Sequence, residues 1–382
     1  VAWSHLASAA SQMTIFGGKR WFGGPTGWQL YSDLHTATLL TRDAFVAVTN
    51  NVSDSSLLQA SKLVSEKVAQ LDTIGLAIRV GADRGTARWI GGGTLVATFS
   101  CAAHTISEPI ATPLESAVAI RCAAPPLASD VAIGCCELVC STGVCFAVSS
   151  PTRFELTGLR FRGGGGATEA VGAAVTITGS YLTQSVVALS LLHFSALGAR
   201  ALVFQTVDAT LETSTFDGCA VAVGDGGALL VERSSSLAVT RCAFRNNAAL
   251  KGGGGAISVR TYSSIALRST SCTENRAKYG GCIDANGAEQ LSIASSSAID
   301  KNKATLDGGG LHAVFTPLEL NASSLVGNTA GRDGGAMHLS SDVLTLVENT
   351  TFDGNSANGT GGAFRAAANS PDFTWCTFTS NA

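Results

Sequence analysis

Three aspartates that stand directly before glycine pairs are the residues best placed for acid–base chemistry: Asp225, Asp307 and Asp333. Paired carboxylates can cleave glycosidic linkages as general acid and base, and Ca²⁺ can bridge such groups. Asp307 and Asp333 are 26 residues apart, and stacking as neighbouring strands would bring them within about 5 Å of each other. Asp-Gly is also a common turn sequence. We therefore interpret all three as turn residues and keep Asp307 and Asp333 as the site of an alternative, carbohydrate-cleaving function.

Two histidines form a second candidate site. His312 and His338 are also 26 residues apart and occupy equivalent places after their glycine pairs, as do Asp284 and Arg365. A pair of imidazoles can bind a metal ion. Polar residues exposed on an outward-facing column explain the same pattern. We favour that second interpretation, so the sequence predicts neither a metal nor a cofactor.

Motifs of other enzyme classes are absent from the sequence. It contains no G-x-S-x-G nucleophile motif, P-loop or dinucleotide-binding fingerprint. The glycine runs 163–166 and 252–255 are interpreted as loops between repeats. Catalysis by an activated serine and nucleotide binding are therefore not expected.

The composition narrows the class of protein further. Of the 382 residues only 14% are charged, against about 25% in an average globular protein. The formal net charge of −3 argues against a nucleic-acid partner, which would favour a basic face. Mean hydropathy is +0.27, yet the sequence has no apolar run long enough for a transmembrane helix. The apolar residues are therefore expected to be buried within the chain's own fold.

Two sets of residues recur with one period of about 27 residues. Glycine pairs begin at Gly226, Gly254, Gly280, Gly308, Gly334 and Gly361, with spacings of 28, 26, 28, 26 and 27 residues. A second column contains Phe216, Phe244, Cys272, Ile299, Leu325, Phe352 and Phe378. An asparagine follows the last six of these by three residues: Asn247, Asn275, Asn302, Asn328, Asn355 and Asn381. Two columns of residues that recur with the same period identify a structural repeat.

The pattern within each repeat predicts short β-strands. Residues such as 343–346 alternate with period two, and a glycine pair in every repeat would break a helix. Parallel strands stacked coil on coil satisfy both observations. Leu229, Ile257 and the equivalent apolar residues should fill the core, and the asparagines should form a buried ladder that supports a turn.

Cysteines and glycosylation sequons indicate an extracellular protein. Six of the eleven cysteines fall within 45 residues and are expected to form local disulfides: Cys101, Cys122, Cys135, Cys136, Cys140 and Cys145. In the repeats, Cys219 with Cys242 is the preferred pair, buried free thiols being the alternative. N-x-S/T sequons lie at Asn51, Asn321, Asn349 and Asn358.

The repeat motifs resemble those of chlamydial polymorphic outer membrane proteins. The sequences at 226–229, 254–257 and 334–337 resemble the GGA[I/L/V] motif, and those at 244–247, 352–355 and 378–381 resemble the paired FxxN motif. The resemblance covers residues 172–382 and is nearer to the related repeats of large extracellular proteins of algae and protists. It implies an all-β fold, a right-handed single-stranded parallel β-helix (a pectin-lyase-like solenoid), at a cell surface and used in adhesion.

We expect three regions along the chain. Residues 1–73 form an N-terminal segment whose amphipathic helix, 53–72, caps the solenoid. Residues 74–171 form the first, cysteine-rich coils, and residues 172–382 the regular repeats. Because the last repeat lacks a cap, we expect more coils or a stacked subunit beyond Ala382.

The functional expectation is a non-catalytic extracellular structural protein, part of a surface filament, wall or appendage. Its expected partners are copies of itself or other extracellular structural proteins, with glycans as a further candidate. Two alternatives stay open: a secreted polysaccharide lyase or hydrolase of the pectate-lyase type, and an adhesin that binds a glycan or a receptor.

Overall fold

The computed structural model describes ten strands between residues 11 and 122 and most of the chain from residue 136 onward. In this second part the gaps are 141–142, 164–172, 181–184, 341–342 and 369–370. The predicted capping helix, 53–72, lies outside the described residues.

Four strands near the N-terminus form an antiparallel meander of their own. They are Ser11–Ile15, Lys19–Gly24, Gly27–Tyr31 and Thr38–Leu40.

The remaining strands build a solenoid of four sheets, which we number in the order in which each coil visits them. The first sheet has thirteen described strands: Ala77–Arg79, Thr86–Ile90, Thr94–Phe99, Ala117–Cys122, Arg153–Thr157, Val186–Ser190, Asp208–Glu212, Ser236–Thr240, Ser264–Arg268, Gln290–Ala294, Leu318–Asn321, Thr345–Glu348 and Asp372–Thr374. The second has eleven: Ala103–Ile106, Glu137–Cys140, Arg160–Gly163, His193–Ser195, Thr215–Asp217, Ala243–Arg245, Ser271–Thr273, Ala298–Asp300, Ser324–Val326, Thr351–Asp353 and Thr377–Thr379.

The third and fourth sheets complete each coil. The third sheet has six described strands: Ala220–Val221, Ala248–Gly253, Arg276–Tyr279, Lys303–Ala304, Thr329–Ala330 and Ser356–Ala357. The fourth has ten: Ile110–Ala111, Phe146–Ser149, Ala173–Thr178, Arg200–Gln205, Leu229–Glu232, Ile257–Arg260, Ile283–Asn286, Leu311–Val314, Met337–Ser340 and Phe364–Ala366.

The prediction of an all-β parallel solenoid is confirmed. Strands one coil apart pair in parallel in all four sheets, and the described residues contain no helix. Parallel pairing begins with Thr94–Phe99, while Ala77–Arg79 and Thr86–Ile90 extend the first sheet by antiparallel pairing. The sequence had placed the start of the coils near residue 74.

Apolar columns fill the interior of the solenoid. Leu229, Ile257, Ile283, Leu311 and Met337 pair in register along the fourth sheet and are fully buried. This column therefore lies in the core, as predicted from the sequence.

A second column, of aromatic rings, lies along the second sheet. Phe161, Phe194, Phe216 and Phe244 stack with ring centroids 4.5–5.0 Å apart and planes within 10° of parallel. Face-to-face stacking of this kind follows from a register in which each ring lies directly above its equivalent in the previous coil.

At the corner after the second sheet, the backbone turns through residues in the left-handed (positive φ) conformation. Asn246, Glu274 and Lys301, each just before a ladder asparagine, have φ values of 55°, 59° and 54°. Such conformations persist only where surrounding contacts hold them. The asparagines described below supply those contacts.

Candidate functional site

A polar column lies on the fourth sheet, next to the apolar one. Ser258, Asp284, His312, His338 and Arg365 pair in register, one residue per strand. Because side chains alternate along a strand and the neighbouring residues fill the core, this column faces away from the core.

The prediction that this column is exposed is wrong for its central residues. Asp284 is only 2% exposed, and His312 and His338 are 8% exposed each. Burial of polar groups requires partners, since each unpaired buried polar atom costs about 1–3 kcal/mol. The contacts of these three side chains therefore determine what the site can do.

The chain segment before each glycine pair covers the column. Gly253 lies so close to Asp284 that a β-carbon there would come within 2.0 Å of the Asp284 Oδ2 atom. Tyr279, just before the next glycine pair, stacks its ring on His312 at a centroid distance of 5.1 Å. Gly280 then turns the chain back toward the sheet with φ +56°. Only a residue without a β-carbon allows the approach seen at Gly253.

Asp284 is held between an arginine and a histidine. Its Oδ1 atom lies 2.6 Å from His312 Nδ1, and its Oδ2 atom accepts a hydrogen bond from Arg260. Arg260 also forms an ion pair of 3.2 Å with Asp225. The Asp284 carboxylate thus fixes the orientation of the His312 ring and leaves Nε2 as the ring nitrogen free to bind another group.

Asp307 approaches the same histidines from the covering segment. It is 1% exposed and accepts two hydrogen bonds from the Arg332 guanidinium, one of them 2.7 Å from Nε to Oδ1. Burial acts to raise the pKa of Asp307, but the hydrogen bond from Arg332 and the nearby His338 outweigh it and lower that pKa. Asp307 is therefore ionised at neutral pH.

His338 stacks on His312, with ring centroids 5.3 Å apart and planes 20° from parallel. Its Nδ1 atom is buried and has no hydrogen-bond partner. Burial, followed by the neighbouring His312, lowers the pKa of His338. The ring is therefore neutral near pH 7, with a nitrogen lone pair available.

Asp307, His312 and His338 together have the composition of a metal-binding cluster. One potential ligand atom from each lies within 4.8 Å of the other two. The cluster opens into a cleft of about 460 Å³ that is also lined by Lys251, Lys278, Asn286 and Ser340. We call Asp284, Asp307, His312 and His338 the Asp–His cluster.

The aspartates before the glycine pairs make the contacts expected of turn residues. Asp225 Oδ1 accepts a hydrogen bond of 2.8 Å from the Gly253 N–H in the next coil. Asp307 Oδ1 accepts one of 3.3 Å from the Asp333 N–H. Asp307 lies near His312 and His338, with ligand atoms within 4.8 Å, whereas the Asp333 carboxylate accepts hydrogen bonds from Thr360.

Asp333 lies outside the Asp–His cluster. Its Oδ1 atom accepts hydrogen bonds from the Thr360 N–H and hydroxyl, at 2.8 and 2.9 Å. These bonds lower the pKa of Asp333. A carboxylate held in this way has the role of a turn residue between coils.

The asparagine ladder runs along the corner after the second sheet. From Asn275 onward, each Oδ1 accepts hydrogen bonds from the backbone N–H and the side-chain amide of the asparagine one coil earlier, at 2.8–3.1 Å. Asn247 Oδ1 accepts from the Cys219 backbone N–H at 2.9 Å. Each Nδ2 also donates to the carbonyl of the second-sheet residue below it. The ladder comprises Asn247, Asn275, Asn302, Asn328, Asn355 and Asn381. Both ends of each buried amide are therefore paired.

Three disulfides lie within the described residues: Cys122–Cys136, Cys140–Cys145 and Cys272–Cys282. Their Cα–Cα distances of 5.7, 5.1 and 6.1 Å lie in the ordinary range. The first two join successive sheets at the corners of an early coil. Cys101 and Cys135 lie outside the described residues. The Cys272–Cys282 bridge was not predicted, although Cys272 stands at a phenylalanine position of the repeat, which is a signal for it.

The predicted Cys219–Cys242 bridge is wrong, because both thiols are free and buried. Cys219 follows the second-sheet strand Thr215–Asp217, and Cys242 precedes the strand Ala243–Arg245 that stacks on it in the next coil. The two cysteines therefore lie at opposite ends of these three-residue strands. Three extended residues span about 10 Å, whereas a disulfide needs Cα atoms within about 7 Å. Burial raises the pKa of both thiols, that of Cys242 to about 12.

Three of the four sequons lie on the surface. Asn321, Asn349 and Asn358 are exposed, and Asn349 occupies a left-handed corner with φ 47°. Asn51 lies outside the described residues. The exposed asparagines are sterically available to a glycosylating enzyme.

The fold and its columns define the class of the chain as a parallel β-solenoid. Comparison with protein-family models and with curated proteins finds no match for this chain. None of the described residues belongs to a helix of the length and hydrophobicity needed to span a membrane.

Proposed function

We propose that this chain is a non-catalytic extracellular structural protein, a segment of a surface filament, wall or appendage. The observation that carries the proposal is the asparagine ladder, which continues without interruption from Asn247 to Asn381. A ladder of paired amides joins successive coils by a directional contact that an isolated small-molecule site would not require. It supports a function in which the shape and rigidity of the rod matter.

Two further features support an extracellular location. Disulfides persist in oxidising compartments, and the exposed sequons at Asn321, Asn349 and Asn358 are placed where glycans can be attached. The resemblance to polymorphic outer membrane protein repeats favours a cell surface as the site of action. The partners we propose are further copies of the chain or other extracellular structural proteins.

Immunogold electron microscopy tests the location and the structural role. Antibodies raised against the purified chain should label the outer surface, wall or appendages of the cells that produce it. The matched control is the same antibody adsorbed with the purified chain. Labelling confined to the cell interior would contradict the proposal.

A polysaccharide assay tests the non-catalytic part of the proposal. The purified chain and its Asp307→Ala variant are incubated with acidic polysaccharides and Ca²⁺, and new reducing or unsaturated ends are measured. We expect no turnover by either protein. Turnover by the wild type that is lost in Asp307→Ala would favour the carbohydrate-cleaving alternative, and specific retention on a glycan array would favour an adhesin.

A further inference from the structure

We infer that Asp307, His312 and His338 form a binding site for one divalent transition-metal ion, with zinc the ion that their donor atoms suit best. Asp284 is the positioning residue of this site. The inference is independent of the proposed structural role, since a metal can stabilise a solenoid without any catalysis.

The identity of the donors selects the class of metal. Two imidazoles and one carboxylate are ligands typical of Zn²⁺ and its neighbours in the first transition row. Calcium and magnesium prefer sites built from oxygen atoms alone. The cluster therefore favours a borderline metal ion over the Ca²⁺ that an acidic pair would suggest.

The spacing of the donors is close to that of a coordinated site. At metal–ligand bonds of about 2.0–2.1 Å, ligand atoms of a tetrahedral zinc lie about 3.4 Å apart. The three ligand atoms here lie within 4.8 Å of one another. Small side-chain rotations would bring them together, and the cleft leaves a fourth position for water.

The carboxylate of Asp284 completes the arrangement expected around a metal-binding histidine. Such histidines usually donate their second ring N–H to a carboxylate, which fixes the ring and raises its basicity. The Asp284 Oδ1 atom lies 2.6 Å from His312 Nδ1. With that nitrogen engaged, Nε2 of His312 is the atom that would bind the ion.

The unpartnered nitrogen of His338 is an independent indication of a ligand. Buried polar atoms in folded proteins are nearly always paired, but His338 Nδ1 is not. The next residues along the two strands, Ala313 and Leu339, are apolar and face the core, so they offer this nitrogen no partner. A metal ion bound between the two histidines and Asp307 could give this nitrogen, or the other ring nitrogen after a ring flip, a partner.

Arg332 is the cationic side chain in direct contact with a proposed ligand of this site. Its guanidinium pairs with Asp307, yet 57% of its side chain is exposed. It can therefore swing into solvent when an ion takes its place on the carboxylate. Removing Arg332 should leave zinc binding as tight as before or make it tighter.

The test is a titration of the full chain with ZnCl₂, in which isothermal titration calorimetry measures binding. The protein carries no affinity tag, keeps its disulfides, and is freed of metal with a chelator that is then removed. We expect one zinc per chain bound at the cluster, and at least 100-fold weaker binding of CaCl₂ and MgCl₂. Binding of CoCl₂ should give the visible absorption of a tetrahedral Co²⁺ site.

Single substitutions assign the ligands. We expect at least about 100-fold weaker zinc binding in His312→Ala, His338→Ala and the nearly isosteric Asp307→Asn, and about 10–100-fold weaker binding in Asp284→Asn. His193→Ala is the matched control, because His193 lies elsewhere, on the second sheet, and should leave the affinity unchanged. Circular dichroism identifies the variants that fold.

Two results would overturn the inference. The first is the absence of zinc binding by the wild-type chain, which would identify the cluster as a network of hydrogen bonds and ion pairs only. The second is zinc affinity in folded His312→Ala, His338→Ala and Asp307→Asn equal to that of His193→Ala, which would place the bound zinc at other groups.

Discussion

The two columns that flank one corner of the solenoid tolerate variation very differently. The column on the second sheet contains Leu138 before the stacked phenylalanines, then Cys272, Ile299 and Leu325, and returns to Phe352 and Phe378. Three residues further along the chain, every coil from Asn247 to Asn381 has asparagine. The two columns share the same coils and the same register, so the difference between them lies in the kind of contact.

Hydrophobic burial depends on area and volume, whereas an amide ladder depends on direction. Ile299 and Leu325 fill the space of a phenylalanine well enough to be almost fully buried, at 2% and 0% exposed. No other side chain can both accept from the asparagine one coil earlier and donate to the carbonyl below at the same distances. We therefore expect the asparagine ladder to tolerate substitution less well than the aromatic stack.

Breaking the ladder in its centre should have the largest effect. In Asn302→Leu, the Asn275 backbone N–H, one of the two Asn275 side-chain N–H groups and the Cys272 carbonyl lose their hydrogen bonds to residue 302 while staying buried. At about 1–3 kcal/mol for each unpaired group, we expect the free energy of unfolding to fall by at least about 3 kcal/mol. Chemical denaturation measures that loss, and hydrogen exchange at the Asn275 amide locates it.

Ile299→Leu is the control for this substitution, since it changes the other column of the same coil. A swap of equal volume in a core usually costs less than about 1.5 kcal/mol. If Asn302→Leu lowered the free energy of unfolding no more than Ile299→Leu does, the ladder would be no more sensitive to substitution than the aromatic column.

The Cys272–Cys282 bridge tests what the aromatic column requires. Cys272 takes a phenylalanine position, and Cys282 takes the place filled by Ala256 and Ala336 in other coils. In Cys272→Ala/Cys282→Ala we expect a loss of about 3 kcal/mol, because the bridge closes a ten-residue separation and its removal leaves a void. Cys272→Phe/Cys282→Ala should recover at least half, since the new ring can stack on Phe244. Thermal or chemical denaturation without reductant compares the two variants, and a less stable phenylalanine variant would contradict the expectation.

Shortening one ring of the aromatic stack should cost less. Phe244 stacks on Phe216 at 4.7 Å and contacts Cys272 on its other side in register. Because the column already accepts leucine at 325, Phe244→Leu should lower the free energy of unfolding by about 1–1.5 kcal/mol. The denaturation midpoint measures the change. A loss as large as that of Asn302→Leu would show that the stack also depends on specific geometry.

The sequence was sufficient to predict the columns because each is a property of spacing alone. The period of the glycine pairs, the phenylalanines and the asparagines predicted the parallel stacking of the strands, the residues that face the core, and the asparagine ladder. Disulfide pairing was less predictable, since Cys219 and Cys242 are close in sequence but lie at opposite ends of a strand. Pairing depends on where the corners fall within a coil, which spacing between repeats does not reveal.

The Asp–His cluster could be predicted only in part. Alternation along the fourth sheet shows that His312 and His338 face outward, but it does not show what covers them. The cover is formed by Tyr279 and Asp307 in the preceding segment, and Arg332 reaches Asp307 from the next coil. These contacts depend on the path of the chain between the third and fourth sheets, for which the repeat pattern gives no rule.

Extending the ladder by one coil should change the free energy of unfolding least, and it tests the contribution of the ladder directly. Cys219 occupies the ladder position in the coil before Asn247: its backbone N–H donates to Asn247 Oδ1 at 2.9 Å, while its thiol lies beside the Leu197 N–H. In Cys219→Asn the new amide can accept from Leu197 and donate to Asn247, replacing a weak sulfur contact with two ordinary hydrogen bonds. We expect a gain of about 1 kcal/mol in the free energy of unfolding and slower hydrogen exchange at Leu197. Cys219→Ser removes the same thiol with a side chain too short to reach both partners, so equal stability of the two variants would show that the ladder's contribution ends at Asn247.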